Sequence, residues 1–227
     1  MAKITWDESV NRLYETVVDH VSLFIMNSDN TYGSAIPWNG VTGITESPDG
    51  ADANDIYADN MKYLSLISKE NWKGTIKAYT SPNEFKQCEG EIEYNNGTID
   101  GIFFGQQARK RFALAWRTIV GNAAEGDAYG YKYHIAYGLS AAPSERDHAT
   151  ENDSPEATEF SWELSSIPEV ATEELYSGFT PAPVSHVVVE SKNNTNVYNA
   201  IENAVTNNAA SLPGLDALIR LIKTTSN

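Results

Sequence analysis

Residues 129–139 read YGYKYHIAYGL, a stretch in which large apolar side chains alternate with small or polar ones. Successive side chains of a β-strand point to opposite faces, so this period of two predicts a strand with one packed face. The residues predicted to share that packed face are Tyr129, Tyr131, Tyr133, Ile135, Tyr137 and Leu139. A strand with one packed and one polar face favours antiparallel pairing.

The same alternation recurs in two further stretches. In EFSWELS (residues 159–165), Phe160, Trp162 and Leu164 are expected to point inward, and Glu159, Ser161 and Glu163 outward. In FFGQQARKRFALAWRTIVGN (residues 103–122), one expected face consists of Phe112, Leu114, Trp116, Thr118 and Val120, and the other of Arg109, Arg111, Ala113, Ala115 and Arg117. Shorter strands are predicted at 38–45, 61–67, 73–79, 99–104 and 184–190.

Helices are fewer. A short helix is predicted between Ser81 as N-cap and Gly90 beyond its end. Pro82 would lie in its first turn, and Glu84 would complete a capping box. Apolar residues at helical spacing predict two more at 195–207 and 215–222, whereas 10–25 fits either a helix or a strand.

The predicted fold is therefore mainly β: an antiparallel β-sandwich or barrel with one short flanking helix and helical C-terminal segments. We expect a single domain over 1–227. Within it, 1–37 would form an N-terminal arm or strand, 38–176 the β-sandwich core, and 177–227 a C-terminal strand and helical extension.

Composition limits the function. The 227 residues carry 31 carboxylates against 16 Lys and Arg, a net charge of −15, which argues against a dedicated nucleic-acid-binding protein. The single Cys88 fits a reducing compartment and is expected to be a buried, inert thiol. No stretch is long and apolar enough for a membrane span, and the N-terminus has no secretory signal pattern, so we expect synthesis in a cytoplasm and no membrane partner.

Catalytic motifs are lacking in the sequence. His20, His134, His148 and His186 are dispersed without metal-ligand spacing, and no nucleophile, phosphate-loop or dinucleotide motif is present. We expect no catalytic, cofactor or metal site, and for His134 a surface or interface role. The acidic stretch SPDGADANDIYAD (residues 47–59) does not match an EF-hand, so a solvated loop is preferred to a calcium site.

The basic run in this acidic chain predicts a contact with another subunit. The residues expected to meet carboxylates of that subunit are Arg109, Lys110, Arg111 and Arg117. Arginine suits planar bidentate pairing across an interface. The tyrosine-rich face at 129–137 is expected to pack in a core or between subunits. The alternative is a monomeric β-sandwich carbohydrate-recognition module that uses this face.

An ordered series of segments resembles the major tail protein, or tail tube protein, of long, flexible-tailed bacteriophages. The segments, in chain order, are DESVNRLYETVVDHVSLF, IPWNGVTGITESPDGADANDIYADNMKYLSLIS, GTIKAYTSPNEFKQCEG, GQQARKRFALAWRTIVGN, GYKYHIAYGLSAAPSE and NDSPEATEFSWE. Val17 and Val21 stand where the family pattern E-T-G-V-D-H-G has glycine.

The resemblance implies a structural virion protein without enzymatic activity or cofactor. Its subunits would form hexameric rings that stack into a hollow tail for passage of double-stranded DNA, with tape-measure, distal tail and terminator proteins as partners. We expect Asp49, Asp52, Asp55 and Asp59 to contact the next ring. We expect Glu159 and Glu163 to line the lumen, where like charge prevents phosphates from adhering.

Overall fold

The structure, a computed structural model, describes residues 7–95, 97–144, 146, 157–206 and 211–225. In these residues the strands are β1 (Leu13–Ile25), β2 (Ile36–Pro37), β3 (Val41–Glu46), β4 (Ala53–Ala58), β5 (Met61–Ile67), β6 (Lys73–Ala78), β7 (Ile92–Tyr94), β8 (Ile102–Phe104), β9 (Phe112–Asn122), β10 (Gly126–Ala141), β11 (Phe160–Ser166) and β12 (His186–Glu190). The α-helices are α1 (Lys86–Glu89), α2 (Thr195–Thr206) and α3 (Leu215–Thr225). None of the helices described is long and apolar enough to cross a membrane.

A single curled antiparallel sheet forms the body of the molecule. Its strands run in the order β2-β1-β9-β10-β11-β6-β3, and β12 also pairs with β10. The two ends of this path, β2 and β3, are separated in the chain only by residues 38–40, and Trp38 N donates to Val21 O of β1 at 2.9 Å. The sheet therefore rolls until its ends meet, and the prediction of a mainly β, antiparallel fold is confirmed.

The inner face of the rolled sheet encloses a hydrophobic cluster that we call the inner core. Five strands contribute to it, and the short helical segment at 83–89 covers part of it. Its buried members include Leu23, Trp38, Trp72, Ile76, Phe85, Cys88, Phe112, Leu114, Trp116, Leu139, Trp162 and Leu164. Burial of Cys88 raises the pKa of its thiol to about 12, as expected of an inert thiol.

A second cluster, the outer core, lies on the opposite face of β1, β9 and β10. The C-terminal helices α2 and α3 cover it with Val197, Ile201, Val205 and Leu218. Each such side chain contributes about 1.5–3 kcal/mol of hydrophobic stabilisation when fully buried. The expectation of one packed and one polar face is thus wrong for residues 112–116 of β9 and 133–139 of β10, which are buried on both faces.

Two predictions of strand faces are corrected. The strand β9 begins at Phe112, so Arg109 and Arg111 precede it and do not extend the Ala113–Arg117 face. Leu139 belongs to the inner core, whereas Tyr133 and Tyr137 belong to the outer core. A register shift between Ala136 and Leu139, with Gly138 at a φ of +61°, moves the strand from one face to the other.

Helix predictions are confirmed in position more than in detail. The segments α2 and α3 match the apolar spacing, and Gly90 ends α1 with a left-handed φ of +87°. The predicted capping box is absent: a 3₁₀ turn at Asn83–Phe85 precedes α1, and no side chain caps its start. The ambiguous N-terminal stretch is a strand, β1, interrupted by bulges near Val17 and His20.

We predict that Gly138→Ala lowers the free energy of unfolding by at least about 2 kcal/mol. A Cβ at this position would lie 2.2 Å from Ile167 O, in a backbone conformation that disfavours L side chains. Urea denaturation measures the change. Gly43→Ala is the matched control, because its Cβ would meet no atom within 4 Å. Equal stability of the two variants would contradict the assigned face switch.

Candidate assembly surface

The hairpin β4–β5 stands outside the main sheet. Its strands pair only with each other among the described residues, and Asp59 and Asn60 at its tip have φ of +52° and +59°. Positive φ at both central residues is the conformation of a tight type I′ hairpin turn. At about 3.3 Å per residue, β4 and β5 extend for roughly 20 Å.

The two faces of this hairpin differ in chemistry. Ile56, Leu64 and Leu66 share one face and are 40%, 37% and 55% exposed. On the other, Asp55 Oδ1 accepts from Ser65 Oγ at 2.6 Å and lies 2.7 Å from Lys62 Nζ. The Lys62 ammonium lowers the pKa of Asp55, because it favours the carboxylate. Both faces nevertheless carry exposed apolar side chains, because Tyr63 and Ile67, which alternate with Leu64 and Leu66 along β5, are 67% and 72% exposed.

A second, shorter hairpin repeats this arrangement. In β7–β8, the cross-strand pairs Ile92–Phe104 and Tyr94–Ile102 share one face, and all four side chains are about half exposed. On the opposite face, Lys86 Nζ lies 3.3 Å from the centroid of the Phe103 ring, a cation–π contact. The apolar face of this hairpin is exposed to solvent.

The exposed apolar side chains make both hairpins candidate surfaces for association with another protein. An isolated two-stranded sheet is at best marginally stable in water, and contiguous exposed apolar area marks a protein contact. The outer edges of both hairpins also offer backbone donors and acceptors that can pair with another strand.

The basic segment 109–111 lies beside the β7–β8 hairpin in sequence. Its backbone is anchored, since Lys110 N donates to Gln87 O and Arg111 O accepts from Met26 N. Arg109 Nη1 donates to Ala141 O at 2.6 Å. Within the described residues, no carboxylate lies within 4.0 Å of these three side chains, so their charges are available to another molecule.

Arg117 has a different role from the one predicted. Its guanidinium donates to both carboxylate oxygens of Asp19 at 2.8 and 2.7 Å and to Glu202 Oε1 at 3.4 Å. It also covers the Tyr131 ring at 4.6 Å. These contacts join β1, β9 and α2, so Arg117 holds α2 onto the sheet of its own chain. The structure does not bring it together with the basic segment 109–111.

The second half of the predicted acidic loop contains the strand β4. Asp49 and Asp52 lie at the base of the β4–β5 hairpin, Asp55 within β4 and Asp59 at the tip. Asp49 forms an ion pair with Lys73 Nζ at 2.6 Å. In the described part of the chain these carboxylates form no cluster that could hold a metal ion. Any contact with another ring would thus be made by an amphipathic hairpin.

Glu163 lies on the exposed outer side of β11 and Glu159 directly precedes this strand, and both are exposed, as the alternation predicted. Glu159 Oε1 accepts from Thr42 Oγ1 at 2.5 Å, and its Oε2 lies 3.9 Å from Lys77 Nζ. Lys73 and Lys77 of β6 share this face, opposite Ser165 and Ser161. Its charge is therefore mixed rather than purely acidic.

The tyrosine-rich face is not an open platform. Tyr133 and Tyr137 are fully buried under α2 and α3, which leaves Tyr129 half-buried and Tyr131 exposed. The structure removes the extended aromatic surface on which the carbohydrate-recognition alternative depended and favours the packing interpretation.

We predict that Arg117→Met lowers the free energy of unfolding by about 1–3 kcal/mol at pH 7, because it leaves Asp19 and Glu202 without their partner. Arg117 holds the pKa of Asp19 below its ordinary value of about 3.9. The stabilisation is therefore complete above that value, and it is lost as the pH falls through the lowered pKa.

Urea denaturation of wild type and variant between pH 7 and about pH 3 measures this difference, which should shrink at the acidic end. Lys77→Met is the control, because the Lys77–Glu159 pair is exposed and contributes about 0–1 kcal/mol. A cost no larger than that of the control would show that Arg117 does not anchor α2.

The chain matches no protein-family model and no curated protein sequence.

Proposed function

We propose that this chain is the structural subunit of a bacteriophage tail tube, which forms hexameric rings that stack into a hollow conduit for DNA. The observation that carries the proposal is the pair of hairpins, β4–β5 and β7–β8, whose large apolar side chains are exposed to solvent. The partner that covers them is a second copy of the same chain.

Ring closure and stacking require different contacts. A ring closes through head-to-tail contacts related by rotation, whereas stacking requires contacts that continue along an axis. The chain supplies candidate surfaces for these tasks: a hairpin of about 20 Å, and a shorter apolar hairpin that adjoins the basic segment 109–111. Two exposed apolar hairpins on one small chain favour a polymer over a dimer.

Charge supports association between copies of this chain. A chain of net charge −15 offers many carboxylates to Arg109, Lys110 and Arg111 of a neighbour, whose side chains form no ion pair among the described residues of their own chain. Such pairs mainly specify how two surfaces dock and how fast they meet. Burial of the apolar hairpin side chains would supply the favourable free energy of association between subunits.

One backbone feature supports the resemblance itself. Val17 has a φ of +58°, within a bulge of β1. That conformation is strained for a β-branched residue and favours glycine. It occurs at one of the two positions where the family pattern has glycine, so the bend fits the pattern although the residue differs.

The remaining assignments follow from the proposed tube. Glu159 and Glu163 are our candidates for the lumen, although Lys73 and Lys77 balance their face. The protein would be made in the host cytoplasm and end in the virion tail, in contact with tape-measure, distal tail and terminator proteins. DNA would pass without lasting contact, because the net charge of −15 on each chain gives the tube an excess of negative charge, which does not bind phosphates.

We predict that the wild-type protein forms six-fold rings or hollow tubes in a concentration series viewed by negative-stain electron microscopy. Leu64→Ser/Leu66→Ser should abolish these particles but change unfolding free energy little, because both side chains are exposed. The double variant Ile167→Ser/Val170→Ser is the control, as it removes exposed apolar side chains outside the hairpins.

A wild type that stays monomeric throughout the series would contradict self-assembly. Specific glycan binding by such monomers would instead favour a recognition module. Normal tubes from the Leu64/Leu66 variant would show that the β4–β5 apolar face is not a subunit contact.

We also predict that Arg109→Glu/Arg111→Glu impairs assembly while the monomer stays folded, since both side chains are exposed. The same microscopy and a circular-dichroism melting curve measure the two effects. Arg220→Glu/Lys223→Glu is a control with an identical charge change on α3, where the wild-type side chains meet Glu173 of the same chain. Equal loss in both variants would show that total charge, and not the basic segment, limits assembly.

A further inference from the structure

Three residues distant in sequence meet at one end of the inner core. Glu46 ends β3, His134 lies in β10 and His186 begins β12. The two imidazole rings stack at 5.4 Å, and both stack on the Trp116 indole at 5.1 and 5.6 Å. One potential ligand atom from each of the three residues lies within 4.8 Å of the other two.

The hydrogen bonds of His134 define its tautomer. The single hydrogen of Thr118 Oγ1 is donated to Glu15 Oε1 at 2.7 Å, so Thr118 accepts from His134 Nε2 at 3.1 Å. In the neutral ring, Nδ1 of His134 therefore carries a lone pair. This atom is buried, has no hydrogen-bond partner among the described residues, and faces Glu46 Oε1 at 3.7 Å. Two acceptors that face each other are complemented by a cation between them.

The other two residues complete the arrangement. His186 Nδ1 lies 3.4 Å from Glu46 Oε2, and His186 Nε2 is buried without a hydrogen-bond partner in the described residues. Trp72 Nε1 donates to Glu46 Oε2 at 3.1 Å, which orients the carboxylate as a supporting group does at metal sites. The Glu46 side chain is 35% exposed and provides a route from solvent.

We propose that Glu46, His134 and His186 form a binding site for a divalent transition-metal ion such as Zn²⁺, with solvent completing the coordination. Two imidazoles and one carboxylate suit Zn²⁺, Co²⁺, Ni²⁺ or Cu²⁺ better than the oxygen-preferring Ca²⁺ and Mg²⁺. Ligand distances of about 2.0–2.2 Å require small side-chain rotations that bring the three groups closer. Burial lowers the pKa of both histidines and keeps them in the neutral form that binds metals.

The site would link three parts of the fold. A bound ion would tie β12, which leads into α2, to β10 and to β3. Residues 47–52 connect β3 directly to the β4–β5 hairpin, so the ion would also fix the base of that hairpin. The inference does not rest on the proposed function, since the ligands all come from one chain.

The test uses the full-length protein without a histidine tag, freed of metal with a chelator. Calorimetric titration with Zn²⁺ should give one ion per chain, Co²⁺ should produce visible absorption bands, and Zn²⁺ should raise the melting temperature by several degrees. Cu²⁺ should quench tryptophan fluorescence, because Trp116 stacks on both ligand rings.

Glu46→Gln and His186→Gln should each weaken Zn²⁺ binding at least tenfold. His20→Ala is the control, because His20 is exposed beside Asp19, away from the cluster, and should bind as wild type does. Glu46→Gln preserves the side-chain volume, so its Zn²⁺ affinity still tests the proposal if His186→Gln folds poorly. No Zn²⁺ binding by the wild type up to millimolar metal, or wild-type affinity in Glu46→Gln, would overturn the proposal.

Discussion

The burial of β9 and β10 on both faces is the constraint on which the rest of the structure depends. Their inner faces complete the core of a rolled sheet, and their outer faces require the cover that α2 and α3 provide. The Arg117–Asp19–Glu202 contacts lie where this cover meets the sheet. Because the body of the protein is closed in this way, the large apolar surface left to solvent is concentrated on elements outside the main sheet, above all the two hairpins.

Much of the fold could be predicted from local pattern. The period of two in β11 gives the correct inward residues, Trp162 and Leu164, and the helical spacing of Val197, Ile201 and Val205 gives the face that α2 buries. Local pattern does not predict which face of a strand is buried where an element distant in sequence covers it. Ala113 and Ala115 appear to belong to a polar face until α2 and α3 cover them, and the face of Leu139 changes at a bulge whose cause is the single left-handed Gly138.

The candidate sites depended still more on tertiary structure. Strand β5 was predicted with its observed limits, but no local signal shows that Leu64 and Leu66 lack cover, since an apolar strand face is normally buried. The EIEY stretch at 91–94 alternates, and its short length concealed the β7–β8 hairpin. Glu46, His134 and His186 stand far apart in sequence, so only the pairing of β10 with β12 and the end of β3 bring them together.

Assembly of a chain with net charge −15 has to overcome repulsion between copies. At physiological salt the Debye length is about 8 Å, so most charges of neighbouring subunits are screened from one another. Apolar faces and direct Arg–carboxylate contacts act within that distance and are therefore affected much less. The proposed tube uses this difference in range: short-range contacts at the hairpins and residues 109–111 hold subunits together. The excess negative charge acts where solvent and DNA remain between the surfaces, and there it discourages adhesion without opposing the subunit contacts.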